Sequence, residues 1–232
     1  MALRQAGKGR ATQRVYLPPP VAERVLLWAL AQDEAELCVD LKRCELFRAA
    51  VAVVLTFAVF CRGHSGSALR PQDVRGSAAG ITVTLDQEKG KRVAGVARTI
   101  TFPPGAVPGL EELLTKWERV FALRDGFAMQ ADKPSYFNLP HERRGFAADQ
   151  IDDWLERVLG HLGERPPAGE SWSGHSLRKG AASGAAAIDV ALFRICYIGG
   201  WSVRSAAVHD YIDATCPRTA AAERFFGWLT RR

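Results

Sequence analysis

The chain has 232 residues, of which 31 are lysine or arginine and 25 are aspartate or glutamate, so its formal net charge is +6. Hydrophobic residues make up 47% of it, which is ample for a packed core and excludes a mainly disordered chain. The longest apolar run, residues 49–61, is too short to span a bilayer, and the N-terminus lacks the apolar stretch of a secretory signal. We therefore expect an intracellular protein with no membrane contact, built as one sizeable domain.

The sequence contains no motif for a metal, nucleotide or dinucleotide. Its five cysteines form no CxxC pair, and its five histidines form no HExxH motif. A GxxxxGK[ST] loop and a GxGxxG fingerprint are also absent. We therefore expect no cofactor, no metal and no small-molecule substrate.

The first third of the chain predicts a tail followed by helices. Residues 1–20 are basic and then proline-rich, which is typical of a linker or tail ahead of a domain that spans residues 21–232. Apolar residues recur at helical spacing in residues 21–32. Residues 46–60 predict a helix that is apolar on nearly all sides, as expected at the centre of a core. Residues 62–73 are polar and rich in glycine and serine.

The rest of the chain predicts one β-hairpin and then helices. Residues 81–85 and 96–102 alternate apolar and polar side chains, and a charged connection separates them. Helical patterns follow at residues 110–117, 151–162, 176–187, 188–197, 205–213 and 219–230. The predicted class is therefore α+β, mostly α-helical, with a small antiparallel β-hairpin or sheet.

Several polar residues occupy positions that suit an anionic ligand. Arg62 directly follows the most apolar helix, where an unpaired charge is costly unless it meets an anion. His175 and Arg178 lie three residues apart near a predicted helix start, so both project from one face. Further on come Trp201, within Gly-Gly-Trp, and Tyr211 ten residues later.

Taken in order, these residues and a lysine on the hairpin resemble the catalytic series of the tyrosine recombinase/integrase family. The stretch HSLRKGAASGAAAIDVALFRICYIGGWSVRSAAVHDYID is closest to the family's eukaryotic mobile-element members. The resemblance covers residues 18–213, which correspond to the catalytic domain. It implies the fold of that domain, and it implies site-specific recombination or integration of double-stranded DNA without a metal.

The resemblance also implies a role for each matched residue. Tyr211 would attack the scissile phosphate and form a 3′-phosphotyrosyl intermediate, which preserves the bond energy for rejoining. Arg62 and Arg178 would bind the non-bridging oxygens and stabilise the developing charge.

The remaining matched residues would assist proton transfer and binding. His175 would act by hydrogen bonding and acid–base chemistry, and the indole N–H of Trp201 would donate to a phosphate oxygen. The hairpin lysine would protonate the leaving 5′ oxygen; Lys89 matches best, and Lys91 is the alternative.

Several alternatives stay open at this point. Ser65 stands where family members usually carry an acid, which leaves open a non-catalytic, domesticated DNA-binding derivative. A type IB topoisomerase, which has similar chemistry, is the other alternative.

The domain organisation also leaves alternatives open. Residues 1–14 resemble the linker to an N-terminal clamp domain, so the chain is either a fragment or the product of a gene without its clamp. The helix at residues 219–230 either folds onto its own core or docks on a neighbour in a tetramer on DNA. The compartment would be the nucleus in a eukaryote and the cytoplasm or nucleoid in a bacterium.

Overall fold

The fold is that of a computed structural model in which residues 13–85, 97–125, 133–147, 149–204 and 206–231 are described. Within those ranges, none of the helices combines the length and the apolar character that a bilayer crossing requires.

The described elements are mostly helical. The helices are Pro19–Leu30 (α1), Glu34–Val39 (α2), Leu41–Ala58 (α3), Gly63–Ser67 (α4), Leu110–Asp125 (α5), Gln150–His161 (α6), Gly174–Ala187 (α7), Leu192–Gly199 (α8) and Ala220–Phe226 (α9). The strands are Gln13–Arg14 (β1), Val74–Ser77 (β2), Gly80–Leu85 (β3), Arg98–Phe102 (β4) and Glu170–Ser171 (β5). Short 3-10 helices cover Pro71–Asp73, Ala206–Tyr211 and Gly227–Leu229. The predicted α+β class, mostly α-helical with a small antiparallel sheet, is confirmed.

Helix α3 forms the centre of the core, as its composition predicts. Every residue from Phe47 to Ala58 is buried, and the helix packs against α1, α6 and α7. Asp40 caps its N-terminus by accepting a hydrogen bond from the Arg43 backbone N–H at 3.1 Å. Because residues 47–58 of α3 are enclosed on all sides, the elements that surround them are placed relative to one helix axis.

The antiparallel sheet contains the predicted hairpin and one further strand. In the hairpin, β3 pairs with β4 so that Ile81 lies opposite Phe102 and Val83 opposite Ile100. Strand β2 adds to the other edge of β3, and the sequence did not predict it, because Val74–Ser77 has no apolar alternation. Helix α4 was also missed, since it has only five residues and two of them are glycine.

The end of the expected N-terminal tail packs against the domain. Strand β1 pairs in parallel with β5, and Leu17 is fully buried. The Leu17 N–H donates to the Ser176 carbonyl at 2.9 Å. The Leu17 carbonyl lies where a side chain on Gly180 would collide with it. Residues 13–20 therefore differ from the expected linker, because the glycine on α7 admits their backbone.

The C-terminal helix α9 lies on the core of its own chain. Phe225 and Phe226 are fully buried. Their rings lie 5.0 Å from those of Phe57 and Phe60 respectively, in the edge-on geometry that aromatic pairs prefer. In this single chain, the two phenylalanines of α9 therefore face the core formed by α3.

We predict that Phe226→Ala lowers the free energy of unfolding by about 3–5 kcal/mol, because it leaves a cavity between α3 and α9. Urea denaturation of the protein without DNA measures this. The midpoint should not depend on protein concentration, since the contact is intramolecular. A midpoint that rises with concentration in the wild type, but not in the variant, would indicate docking between protomers instead.

Candidate active site

Two glycines bring the starts of α4 and α7 into contact. A Cβ atom on Gly63 would lie 2.1 Å from Ile151 Cγ2 and 3.2 Å from the Gly174 Cα. A Cβ atom on Gly174 would lie 2.7 Å from Ile151 Cγ2 and 2.9 Å from the Gly63 Cα. Arg62 is the residue before α4, and His175 is the second residue of α7. The close crossing therefore places Arg62 and His175 on one cleft of about 360 Å³.

The same cleft contains two groups that the sequence analysis did not single out. His64 lines it from α4, and Asp152 lines it from α6. The Asp152 carboxylate accepts a hydrogen bond from the Gly174 N–H at 2.6 Å. A carboxylate at this position satisfies one free N–H at the start of α7 and is stabilised by the helix dipole. Asp152 thus fixes the turn that carries His175.

Arg178 lies on the inner face of α7 and is almost completely enclosed, with 1% of its surface exposed. Its guanidinium donates to the Phe60 carbonyl at 2.7 Å and to the Gly199 carbonyl at 2.6 Å. These two bonds use two of its five N–H donors. They tie α7 to the chain just beyond α3 and to the last residue of α8.

The Gly-Gly-Trp sequence places an indole over that guanidinium. Gly200 adopts a left-handed conformation (φ 69°) that ends α8. A Cβ atom on Gly199 would lie 1.8 Å from Trp201 Cζ3, so only glycine leaves room for the ring. The Trp201 ring centroid is 3.9 Å from the Arg178 guanidinium carbon, in cation–π contact.

Tyr211 completes the cluster from the last position of the 3-10 helix Ala206–Tyr211. Its ring centroid is 5.0 Å from that of Trp201 and 6.1 Å from that of His175, and 5.3 Å from the Arg178 guanidinium carbon. A cavity of about 300 Å³ beside it is lined by His175, Lys179 and Tyr211, among others.

The structure thus gathers four of the predicted site residues into one cluster. These are His175, Arg178, Trp201 and Tyr211. Arg62 and His175 both line the cleft between α4 and α7, so His175 connects Arg62 to the cluster. Lys89 and its alternative Lys91 lie outside the described residues. Among the residues that are described, no three histidine, cysteine, aspartate or glutamate side chains are grouped so as to hold a metal ion.

One feature differs from the sequence-based expectation for Arg178. We expected its guanidinium to face a ligand, but in this structure the rings of Trp201 and Tyr211 cover it. Trp201 itself is only 9% exposed. The reason is packing: Gly199 lets the indole fold back, and the two carbonyls draw the guanidinium inward. The site is therefore closed, in the sense that the Arg178 guanidinium is shielded from solvent.

We predict that Gly174→Ala lowers the unfolding free energy by about 1–3 kcal/mol, because the new methyl group overpacks the crossing of α4 and α7. The matched control is Gly160→Ala in α6, where a Cβ atom would meet nothing within 4 Å. That change should stabilise the helix by about 0.5–1 kcal/mol. Thermal denaturation of both variants measures the difference, and equal stabilities would contradict the described crossing.

Solved structures with similar folds are two recombinases and an integrase. A crystal structure of XerA recombinase superposes with a TM-score of 0.59 at 16% identity, covering 98% of this chain and 67% of that one. XerH recombinase in a post-cleavage complex with a palindromic difH substrate gives 0.60 at 14% identity, covering 88% and 51%. A lambda integrase(75–356) dimer bound to a COC′ core site gives 0.56 at 15% identity, covering 91% and 63%.

These likenesses concern the fold. No protein-family model and no curated protein matches the chain. The chain spans between about half and two thirds of the length of the solved chains it resembles. At this level of identity, the comparison shows that the chain has the fold of a tyrosine recombinase catalytic domain.

Proposed function

We propose that this protein cuts and rejoins double-stranded DNA by transesterification at Tyr211, in site-specific recombination or integration of a mobile element. The observation that carries the proposal is the contact of Tyr211 with Arg178, Trp201 and His175. The phenol is a nucleophile, the Arg178 guanidinium is a permanent cation, and the His175 imidazole is a titratable one. With the indole N–H of Trp201 as a further donor, these groups suit an anionic phosphodiester. Two of the similar structures are themselves bound to DNA sites, difH and COC′.

The reaction requires one bond to form at phosphorus as another breaks. The Tyr211 oxygen attacks the scissile phosphate and loses its proton, for which we propose His175 as the acceptor. The 5′ oxygen leaves with a proton, in our proposal from Lys89 or Lys91. The product is a 3′-phosphotyrosyl bond, which a 5′ hydroxyl later attacks to rejoin a strand. No divalent metal takes part, because the arginines supply the positive charge.

Access to Arg178 sets a condition on this reaction. Since the rings of Trp201 and Tyr211 cover the guanidinium, a phosphate reaches it only after residues 206–213, here called the Tyr211 segment, shift. Arg62, in contrast, is half-buried on the open cleft. We propose that the phosphate first meets Arg62 and His175 and that assembly on DNA, in our proposal as a tetramer, opens the path to Arg178.

A DNA-binding protein without catalysis is the second candidate. The burial of Arg178 favours it, because a guanidinium held by two carbonyls also serves as a structural link between helices. The two candidates differ in one product: only the enzyme forms a covalent bond to DNA.

We predict that Tyr211→Phe abolishes covalent attachment to a nicked suicide duplex while DNA affinity stays within about twofold, because only the nucleophilic oxygen is lost. The assay runs in excess EDTA and detects a complex that survives denaturing electrophoresis. The matched control is Tyr197→Phe, which removes the hydroxyl of a tyrosine on α8 that is 67% exposed. An adduct formed by the Tyr211 variant but not by the Tyr197 variant would reassign the nucleophile.

We predict that Arg62→Lys slows cleavage about 100-fold, since an ammonium group lacks the planar pair of donors that matches a phosphate. The readout is the single-turnover rate constant at saturating DNA. Arg119→Lys serves as control, because Arg119 on α5 is ion-paired with Glu34 on α2 and lines neither of the two cavities that contain His175. Wild-type rates in the Arg62 variant would show that this cation does not contact the reacting phosphate.

A further inference from the structure

Helix α7 contains a second contact to the Tyr211 segment besides Arg178. Ser183 is fully buried. Its hydroxyl donates to the Tyr211 carbonyl at 3.2 Å and accepts from the Asp213 N–H at 2.8 Å. One hydroxyl therefore satisfies both backbone groups that flank Ile212.

An ion pair reinforces the same attachment. Lys179 Nζ lies 3.3 Å from Asp213 Oδ2, and Lys179 is four residues before Ser183, on the same face of α7. The other Asp213 oxygen, Oδ1, accepts from the Thr215 hydroxyl at 2.6 Å and from the Thr215 N–H at 3.0 Å. The pKa of Asp213 is lowered, mainly by the hydrogen bond from the Thr215 hydroxyl; the Thr215 N–H and Lys179 act in the same direction, and burial opposes them.

The two flanks of Tyr211 are held very differently. On the C-terminal side, Asp213 is pinned to α7 through Ser183 and Lys179. On the N-terminal side, Val208 is the only buried residue among those described between residues 202 and 210. The described side chains just before Tyr211 are therefore mostly exposed, whereas the residue two positions after it is bonded to α7.

We propose that Ser183, assisted by the Lys179–Asp213 ion pair, is a positioning residue for Tyr211. Ser183 lies five residues after Arg178, about 7.5 Å along the same helix axis. The hydroxyl thereby holds the tyrosine backbone at a set distance from the guanidinium. When the segment opens to admit a phosphate, it pivots about residues 212–213 and returns to the same register. The catalytic part of this inference rests on the proposed function, whereas the attachment itself does not.

The first experiment measures the attachment without any reaction. Hydrogen exchange of the DNA-free protein compares wild type with Ser183→Ala. The Asp213 amide should exchange about tenfold faster relative to amides of α3, because its buried acceptor is lost. The control is Ser135→Ala. Ser135 is 1% exposed, and its hydroxyl also donates to a carbonyl, that of Ser67, and accepts from the Phe137 N–H. In the Ser135→Ala variant, the exchange rate of the Asp213 amide relative to the α3 amides should stay unchanged.

The second experiment measures positioning through single-turnover cleavage of the suicide duplex. Ser183→Ala should lower the rate constant about tenfold at saturating DNA, with the dissociation constant unchanged, whereas Ser135→Ala should alter neither. Lys179→Gln tests the same claim on a partly exposed side chain if the alanine variant does not fold. It should accelerate exchange at Asp213 and slow cleavage by about two- to fivefold.

The outcomes separate the two proposals. An unchanged Asp213 exchange ratio in Ser183→Ala, or in Lys179→Gln if the former does not fold, overturns the attachment. Faster exchange with a wild-type cleavage rate overturns the positioning role. A wild-type protein that forms no adduct refutes the proposed function, and the exchange result then still decides whether Ser183 fixes the segment.

Discussion

The architecture around the site depends on one guanidinium held inside the protein. A buried cation is costly unless its donors are satisfied, and Arg178 meets this requirement with the carbonyls of Phe60 and Gly199. Both carbonyls lie at or just beyond the C-terminal end of a helix, where backbone acceptors lack partners within the helix and the dipole is negative. Arg178 thus joins α3 and α8 to α7, and the rings of Trp201 and Tyr211 close over the junction.

Small residues on α7 allow the other elements to reach this junction. Gly174 admits the start of α4, Gly180 admits the Leu17 carbonyl, and Gly184 lies against Pro19 and Phe226. A Cβ atom at any of these positions would collide with the neighbour, so the close packing of α7 requires glycine there. The consequence for function is that His175, Arg178, Lys179 and Ser183 share one rigid element. In our proposal, the segments that carry Trp201 and Tyr211 move relative to this element.

The sequence predicts which residues form the site better than it predicts their burial and their contacts. The order from Arg62 to Tyr211 carries the resemblance, and four of the matched residues do meet in space. The covering of Arg178 was not predictable, because it follows from the room at Gly199 and from two backbone carbonyls that no side-chain pattern reveals. The same applies to Ser183, an ordinary serine in an alanine-rich helix until the Tyr211 backbone is placed beside it. Helix α4 and strand β2 were missed because such short elements are stabilised by tertiary contacts rather than by periodicity.

Mass spectrometry of the trapped complex tests most directly whether Tyr211 forms the bond to DNA, as we propose. Trypsin cleaves after Arg204 and Arg218 and releases residues 205–218, in which Tyr211 is the only tyrosine. After nuclease digestion of the wild-type adduct, we expect the residual 3′-nucleotide mass on that peptide, and fragmentation should place it on Tyr211. A nucleotide on any other peptide, or a protein that carries none after incubation with cleavable DNA, would contradict the account.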